Sequence, residues 1–386
     1  NGTLTMDQVV QETHELTDRI AREQIQDYVQ VLDERLRDSQ QRKKDYTIER
    51  RHQQKSIATT AGPLVLDRTY FRDKKTNRHV CLVDRLLGLE PHQRISRELA
   101  SRLLSGAKDA SYQSVVDRYA ISGITSRTTV MNLVHRLGKI ESSEAPMPQK
   151  KAVSRIYIEA DEDHVAMQDG TNQQMKLIYV HEGPKYVRKD RKVLMGMHCF
   201  TGFYKGATDE LWYEVLTYID SAYDLDKVEE ISLSGDGASW IRKAAQILPR
   251  CELYLDKFHL EKALRKAAAP IDSLKGIKDE SYWYLKDAIS LDFLEDIHTF
   301  FDSTEGLPLR PSQKKTLGEM RTYLVSNWKS IQNTMQTGYQ GCSAEGHVSH
   351  VLSSRLSSRP MGWSTVGAEN IARMRVFALN GGDLMS

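Results

Sequence analysis

Residues 231–241 read ISLSGDGASWI. Apolar Ile231 and Leu233 alternate with Ser232 and Ser234, the period of a strand with one buried face. The strand runs into Gly235-Asp236-Gly237 and then into small residues that suit a helix start. Asp and Gly both favour turns, so one reading of Asp236 is a turn residue. The other is a metal ligand at the carboxyl end of a buried strand, with glycine on either side leaving room for a substrate backbone.

The neighbouring stretches supply a frame. SRIYIEAD (154–161) reads as a strand ending in acid, and MKLIYVHEG (175–183) and KVLMGMHCF (192–200) as two more. ATDELWYEVLTYIDSAY (207–223) is an amphipathic helix, EEISLSGDG (229–237) a strand and ASWIRKAAQIL (238–248) a helix. CELYLD (251–256) is a strand and KFHLEKALRKAA (257–268) a helix. Three strands on short connections suit antiparallel pairing, and strands separated by helices suit parallel crossovers. This order is that of a ribonuclease H-like α/β fold with a mixed sheet. Residues 270–335 carry only helical patterns and read as an all-α insertion. GCSAEGHVSHVLSSRLSSRPMGWS (341–364) returns as a helix from near Ser343 to before Pro360.

In that topology Asp161 and Asp236, 75 residues apart in sequence, end neighbouring central strands. Two carboxylates so placed repel each other unless a cation lies between them. Oxygen ligands suit Mg²⁺ or Mn²⁺. A third carboxylate is required to hold a second ion, and Glu345 is the candidate. Two ions about 3.5–4 Å apart activate an attacking oxygen and stabilise a leaving one at a phosphodiester. Glu159 and Asp163 share the strand face of Asp161 and are its rivals as first ligand, Asp163 the nearer alternative; Glu162 points the other way. Glu345 also reads as an ordinary early-helix acid favoured by the macrodipole.

The amino-terminal part differs in texture. Residues 5–45 read as one long polar helix with a narrow apolar stripe (Val9, Leu16, Ile20, Ile25, Val29, Leu32, Leu36), which fits a partner helix, a self-pairing seam or packing on its own protein. Residues 63–86 read as a basic hairpin, and 95–138 as a helical cluster. Tyr112, Val115, Val116 and Tyr119 form one face, Ser122-Gly123 a turn, and Thr125 or Ser126 a cap for the next helix. Two short helices on a Gly-containing turn match a helix-turn-helix, a pattern that generic helical hairpins share. Ser126, Arg127 and Thr128 would begin its recognition helix. Residues 51–140 hold 16 Lys and Arg against 7 Asp and Glu in a chain of net charge +2, a local bias compatible with a polyanion. The polar, proline-containing ESSEAPMPQKK (141–151) reads as a linker.

The expected organisation is an amino-terminal helix (1–50), a DNA-binding region (51–140), a linker (141–151), a catalytic core (152–269), the all-α insertion (270–340) and the end of the core with Glu345 (341–386). The 386 residues, 40% hydrophobic, suffice for two or three domains with real cores. Four widely spaced cysteines and no secretory leader make a reducing cytoplasm the expectation. No apolar run approaches the roughly 18 residues of a membrane span. Asn1 at the start and NGGDLMS at the end read as a segment of a longer protein.

IEADEDHV, IYVHEG, LSGDGASWI, LDKFH and the long GCSAEGHVSHVLSSRLSSRPMGWS, in this order, resemble the DDE transposases of bacterial insertion sequences, specifically the ISLre family, related to the Mutator-like group. The resemblance covers the chain from about residue 60 to its end. It implies that Asp161, Asp236 and Glu345 form the catalytic triad and that the helical stretch sits between the second Asp and the Glu. DKFH matches the Asp-x-x-His element of Mutator-like transposases, which puts Asp256 and His259 near the active site; read locally, Asp256 is a helix cap and His259 a packed side chain. His347 and His350 share a helix face near Glu345 and are expected to orient groups locally; Arg355 and Arg359 are expected on phosphates. Cys342, His347 and His350 make a poor zinc set, because their spacing is irregular and no paired cysteines join them. The implied activity is cleavage at transposon ends and strand transfer into target DNA, with two Mg²⁺ or Mn²⁺ ions. The partners are double-stranded DNA, at terminal inverted repeats and target, and a second copy in a homodimer. A ribonuclease H-like nuclease or resolvase that cuts without joining, or a decayed DNA-binding protein, shares these features.

Overall fold

A computed structural model of the chain describes residues 4–188, 191–336 and 338–385. It divides into two compact units, residues up to Gly138 with the last few of the chain, and Lys139–Asp383.

In the first unit, helix α1 (Met6–Asp38) starts at a capping box: Gln8 N–H donates to the Thr5 hydroxyl, and Thr5 N–H to the Gln8 side chain. After α2 (Gln40–Asp45) come strands β1 (Tyr46–Thr59), β2 (Gly62–Asp73) and β3 (His79–Cys81), paired antiparallel in that order. The later half of α1 lies on this sheet, where Val29 is buried with Ile57, Leu64 and Leu66. Buried Asp33 accepts from Thr69 N–H at 3.0 Å and from its hydroxyl at 2.6 Å. Val9, Leu16 and Ile20 of the earlier half are exposed. The long-helix reading of 5–45 thus meets two helices. The hairpin read at 63–86 is present as β2 and β3, paired antiparallel, but its second arm is short: beyond Cys81 the chain turns into α3 (Leu82–Leu86), and β2 pairs over most of its length with β1. Strand β1 escapes sequence reading because its middle, Glu49 to His52, is polar and exposed, so no apolar alternation runs through it. Helices α4 (Arg97–Ala107), α5 (Tyr112–Arg118) and α6 (Arg127–Arg136) then pack on one another. Gly123, at φ +81°, makes the turn before α6, and the Ser126 hydroxyl accepts from Thr128 N–H at 3.2 Å.

The second unit is a mixed α/β structure. Strands β4 (Arg155–Ala166) and β5 (Asn172–His181) are followed by a separate two-stranded ribbon, β6 (Pro184–Arg188) and β7 (Arg191–Leu194). Then come β8 (His198–Gly202), α7 (Thr208–Ala222), β9 (Glu230–Gly235), two short helices, α8 (Ser239–Arg242) and α9 (Ala244–Ile247), and β10 (Cys251–Leu255). The five-stranded sheet runs β10-β9-β4-β5-β8. β5 is antiparallel to β4 and β8, and β9 is parallel to β4 and β10. The third sheet strand therefore begins at His198; residues 192–194, read as its start, belong to the ribbon.

One sheet face is apolar. Ile156, Ile158, Ile178, Val180, Ile231 and Leu233 are buried with Leu211, Trp212, Val215 and Ile219 of α7. Trp212 Nε1–H donates to the Trp240 carbonyl at 2.8 Å. The chain continues through α10 (Lys257–Lys275), α11 (Glu280–Ser290), α12 (Leu294–Asp302), α13 (Pro311–Ser326) and α14 (Trp328–Met335), which share a second core containing Leu264, Leu285, Phe301 and Leu324. α10 runs unbroken past Pro270, so no boundary falls at residue 270. Thr334 and Asn333 of α14 donate to the β10 carbonyls of Leu255 and Leu253 at 2.8 and 2.9 Å. α15 (Ala344–Val348) leads through a π-helical turn, 349–353, into α16 (Ser354–Leu356) and then α17 (Thr365–Leu379). The end of the stretch read as a linker is tied down: Lys151 N–H donates to the Ala222 carbonyl at 2.9 Å, and the Lys151 carbonyl accepts from Asp224 N–H at 2.8 Å.

Two glycines make a test. A Cβ at Gly235 would meet the Ala160 carbonyl at 2.8 Å and Ile241 at 2.7 Å, whereas one at Gly346, in α15, meets nothing. In urea unfolding, Gly235→Ala is expected to cost about 1–3 kcal/mol by overpacking, and Gly346→Ala to gain about 0.5–1 kcal/mol.

Candidate functional site

Parallel pairing of β4 with β9 ends at Ala160↔Gly235. The next residue on each strand is an aspartate, so Asp161 and Asp236 stand side by side. Asp161 does not end its strand, as the sequence suggested: β4 continues to Ala166, paired with β5 alone. The glycines around Asp236 also differ from expectation. The space beside Gly235 is filled by Ile241 and the Ala160 carbonyl, and that beside Gly237 (φ +81°) by the Asn327 amide. They permit close packing of the protein rather than approach of a substrate.

Asp236 takes part in a turn after all. Its Oδ1 accepts from Ala238 N–H at 2.8 Å, and its carbonyl accepts from the Tyr323 hydroxyl at 2.7 Å. Asp161 Oδ1 accepts from Glu162 N–H at 2.8 Å. Burial, opposed by that bond and reinforced by the charge of Asp236, pushes the Asp161 carboxyl up to about 6. Asp256, beyond β10, caps α10 by accepting from Phe258 N–H at 3.3 Å, and its other oxygen lies 2.9 Å from His259 Nδ1. That bond raises the His259 pKa, as do the charges of Asp236 and Asp161. Asp161, Asp236, Asp256 and His259 are thus one electrostatic cluster. The local reading of Asp256 as a helix cap is met.

Asp161's rivals on the same face are occupied. Buried Glu159 accepts from the Tyr179 hydroxyl and from Ser343 N–H, and His181 Nε2 lies 3.2 Å from it. Burial alone would raise its pKa; these partners hold it below the usual carboxylate range. Asp163 accepts from the Ser357 hydroxyl at 2.8 and 3.0 Å. Glu162, on the opposite face as expected, pairs with Lys176. The helical segment 343–357 therefore consumes Glu159 and Asp163 and leaves Asp161 between them.

Glu345 lies in the first turn of α15, two residues past Ser343, and is exposed. Among the described residues, no three Asp, Glu, His or Cys side chains form a group that could hold a metal ion. The structure thus brings together two carboxylates of the expected three. Hard carboxylate oxygens fit Mg²⁺ or Mn²⁺, and of the three expected ligands only Asp161 and Asp236 belong to the cluster. Burial pushes the Cys342 thiol well up, which disfavours the thiolate that zinc requires. His347 packs its ring 4.4 Å from that of Tyr179, and His350 is exposed. Arg355 departs from expectation: it is buried with its guanidinium 4.7 Å over the Trp363 ring, not presented to phosphate. Arg359 is exposed. In the first unit Ser126, Arg127 and Thr128 are exposed at the start of α6.

Sequence reasoning missed Tyr179, His181, Ser343 and Arg375. Arg375 donates to the Val351 and His350 carbonyls at 2.6 and 2.8 Å, satisfying groups in the π turn. Only the cluster of polar residues in the long 341–364 motif hinted at such a network. A cleft of ≈520 Å³ opens beside it, lined by Tyr157, Glu159, His181, Ser343 and His347 among others.

A family profile described as an uncharacterised protein family, UPF0236, matches residues 1–386. The chain belongs to the UPF0236 family. A UPF0236 protein of Caldanaerobacter subterraneus subsp. tengcongensis, whose name carries eleven designations, is 32% identical over 385 residues, covering 100% of this chain and 80% of that protein. Two further UPF0236 proteins of that organism are also 32% identical and are covered over 81% and 76% of their lengths. Among solved structures, the Drosophila P element transposase strand transfer complex aligns with 76% of this UPF0236 chain and 82% of that chain, at 11% identity and a TM-score of 0.26. A likeness that slight carries no argument. No helix among the described residues is long and apolar enough to cross a membrane.

The Asp161 carboxyl binds its proton more readily folded than unfolded. Its contribution therefore favours folding below the ordinary value of 3.8 and is lost as pH rises through about 6. Asp161→Asn is expected to stabilise the metal-free protein by roughly 1–3 kcal/mol at about pH 8, a gain that shrinks toward pH 4, in urea unfolding at both pH values. Mg²⁺ should stabilise the wild type and not the variant.

Proposed function

We propose that this UPF0236 protein is a metal-dependent DNA transposase of the DDE type, similar to the ISLre family, with a ribonuclease H-like catalytic core. The observation that carries the reading is the lateral pair Asp161 and Asp236, held at the point where two parallel central strands part. The strand order, with three antiparallel strands and two parallel ones added beside the first, supports the fold reading. A second support lies in the relatives: one protein of a single organism carries eleven designations and another four. Repeated copies of one protein in one organism are what an element that moves its own DNA leaves behind.

Asp161 and Asp236 would hold Mg²⁺ or Mn²⁺, which would supply Lewis-acid stabilisation of charge developing on phosphate oxygens. The proposed third carboxylate is Glu345, carried on a helix whose start is tied to Glu159 through Ser343. His259 holds a proton beside both aspartates, oriented by Asp256. In the proposed reaction water attacks a phosphodiester at the transposon end, the P–O3′ bond breaks, and a 3′-hydroxyl is freed. That hydroxyl then attacks a target phosphodiester, forming a new P–O bond and releasing a target 3′-hydroxyl. Arg127 and its exposed neighbours Ser126 and Thr128 are the proposed base and phosphate contacts of the first unit. The exposed apolar stripe of α1 is the proposed homodimer contact.

The decisive experiment is cleavage and joining of a labelled transposon-end duplex with Mg²⁺ or Mn²⁺. Wild type should form both products. Asp236→Asn, which keeps size and removes charge, should lose both by at least about 100-fold, the scale of losing a key electrostatic group. Equal activity in the variant would return Asp236 to a turn residue. Cleavage without joining would make the protein a nuclease or resolvase.

A further inference from the structure

The site uses the start of α10 but leaves its solvent face unexplained. Asp256 N–H donates to the Gly235 carbonyl at 2.8 Å, so the helix begins directly beside the residue before Asp236. Leu260, Ala263, Leu264, Ala267 and Ile271 turn inward to the helical core. Lys257, Phe258, Lys262, Arg265 and Lys266 are exposed. Phe258, Lys262 and Arg265 follow at spacings of four and three, the interval of one helix face. A phenylalanine left 51% exposed beside a charged cluster gains nothing from burial within this chain. The one acid within this run, Glu261, is taken by Lys286 at 2.8 Å and by the Tyr282 hydroxyl.

On this face one ring, Phe258, stands among cations, and α11 adds rings and a cation beside it. Lys262 Nζ is 6.0 Å from the Phe258 ring, Arg265 lies 4.4 Å over Tyr282, and Lys286 is 5.5 Å from Trp283, itself 55% exposed. A single ring in a row of cations suits a partner with regularly spaced negative charge and flat apolar faces. A nucleic-acid strand has both: phosphates meet Lys and Arg, and a base stacks on the ring.

We propose that the solvent face of α10 is a track for the DNA strand at the aspartate pair, with Lys262 and Arg265 on phosphates and Phe258 stacked on an unpaired base. This rests on the function proposed above and extends it to a surface outside the acidic cluster.

The test is fluorescence-anisotropy titration of the full chain in EDTA over a salt series. The probes are a blunt transposon-end duplex and the same duplex with unpaired terminal bases. Lys262→Gln with Arg265→Gln should weaken binding to both and flatten the log K against log salt slope by about 1.4–1.8, two contacts' worth. Lys262→Gln alone changes one exposed side chain and should show half that change. Phe258→Ala should weaken the unpaired-end probe about ten-fold and spare the blunt duplex. Lys315→Gln, at a side chain 80% exposed on α13, should alter neither. Wild-type slope and affinity in the α10 variants, with wild type binding and cleaving, would overturn the track and leave the transposase reading standing. Failure of wild type to bind either probe would overturn both.

Discussion

The pairing of β4 with β9 stops where Ala160 meets Gly235. At Gly235 the Ala160 carbonyl and Ile241 occupy the place of a side chain, so the strands close to a distance that only glycine tolerates. Register then leaves no freedom: the next residues, Asp161 and Asp236, must lie side by side. The chain turns at Gly237, where a positive φ and the Asn327 amide again exclude a side chain. Two glycines and one register thus impose a juxtaposition of like charges that neither strand would adopt for its own stability.

What surrounds the pair decides which acid is exceptional. Glu159, Asp161 and Asp163 share one face by the period of a strand. The outer two accept hydrogen bonds from Tyr179, Ser343 and Ser357. They are anchors for the helical segment that crosses the strand, and Arg375 holds that segment's π turn from α17. Among the described residues Asp161 has only its neighbour's backbone N–H, and burial raises its pKa. Sequence periodicity put three candidates on the face; hydrogen bonding separates them.

Much of this was legible in the chain. Strands β4, β5, β9 and β10 and helix α7 follow from alternation and 3.6-residue periodicity, and Asp161 with Asp236 follow from the order of those elements. The ribbon β6–β7 was not legible, because KVLM continues the apolar pattern of the strand after it. β1 was hidden by its polar, exposed middle. Arg355 misled because an arginine in a polar motif reads as a surface residue, while Trp363, eight residues on, draws it inward by a cation–π contact. Side-chain networks such as Glu159–Ser343 join residues 184 apart, and no local pattern encodes such a pairing.

The first unit offers a contrast that gives the aspartate pair its weight. There, Asp84 lies between Arg68 and Lys55, and Asp33 is held by both donors of Thr69. Each of these acids is neutralised or bonded within the fold, as buried charge requires. In the second unit Glu159, Glu162 and Asp163 meet the same rule. Asp161 and Asp236 differ: each accepts one local backbone N–H, neither has an ion pair among the described residues, and their like charges meet where β4 and β9 part. Like charges brought together lower stability, and departures of that kind are found at functional sites. In the proposed reading a divalent cation would relieve this repulsion, and the DNA strand that α10 would guide would bring the phosphate on which it acts.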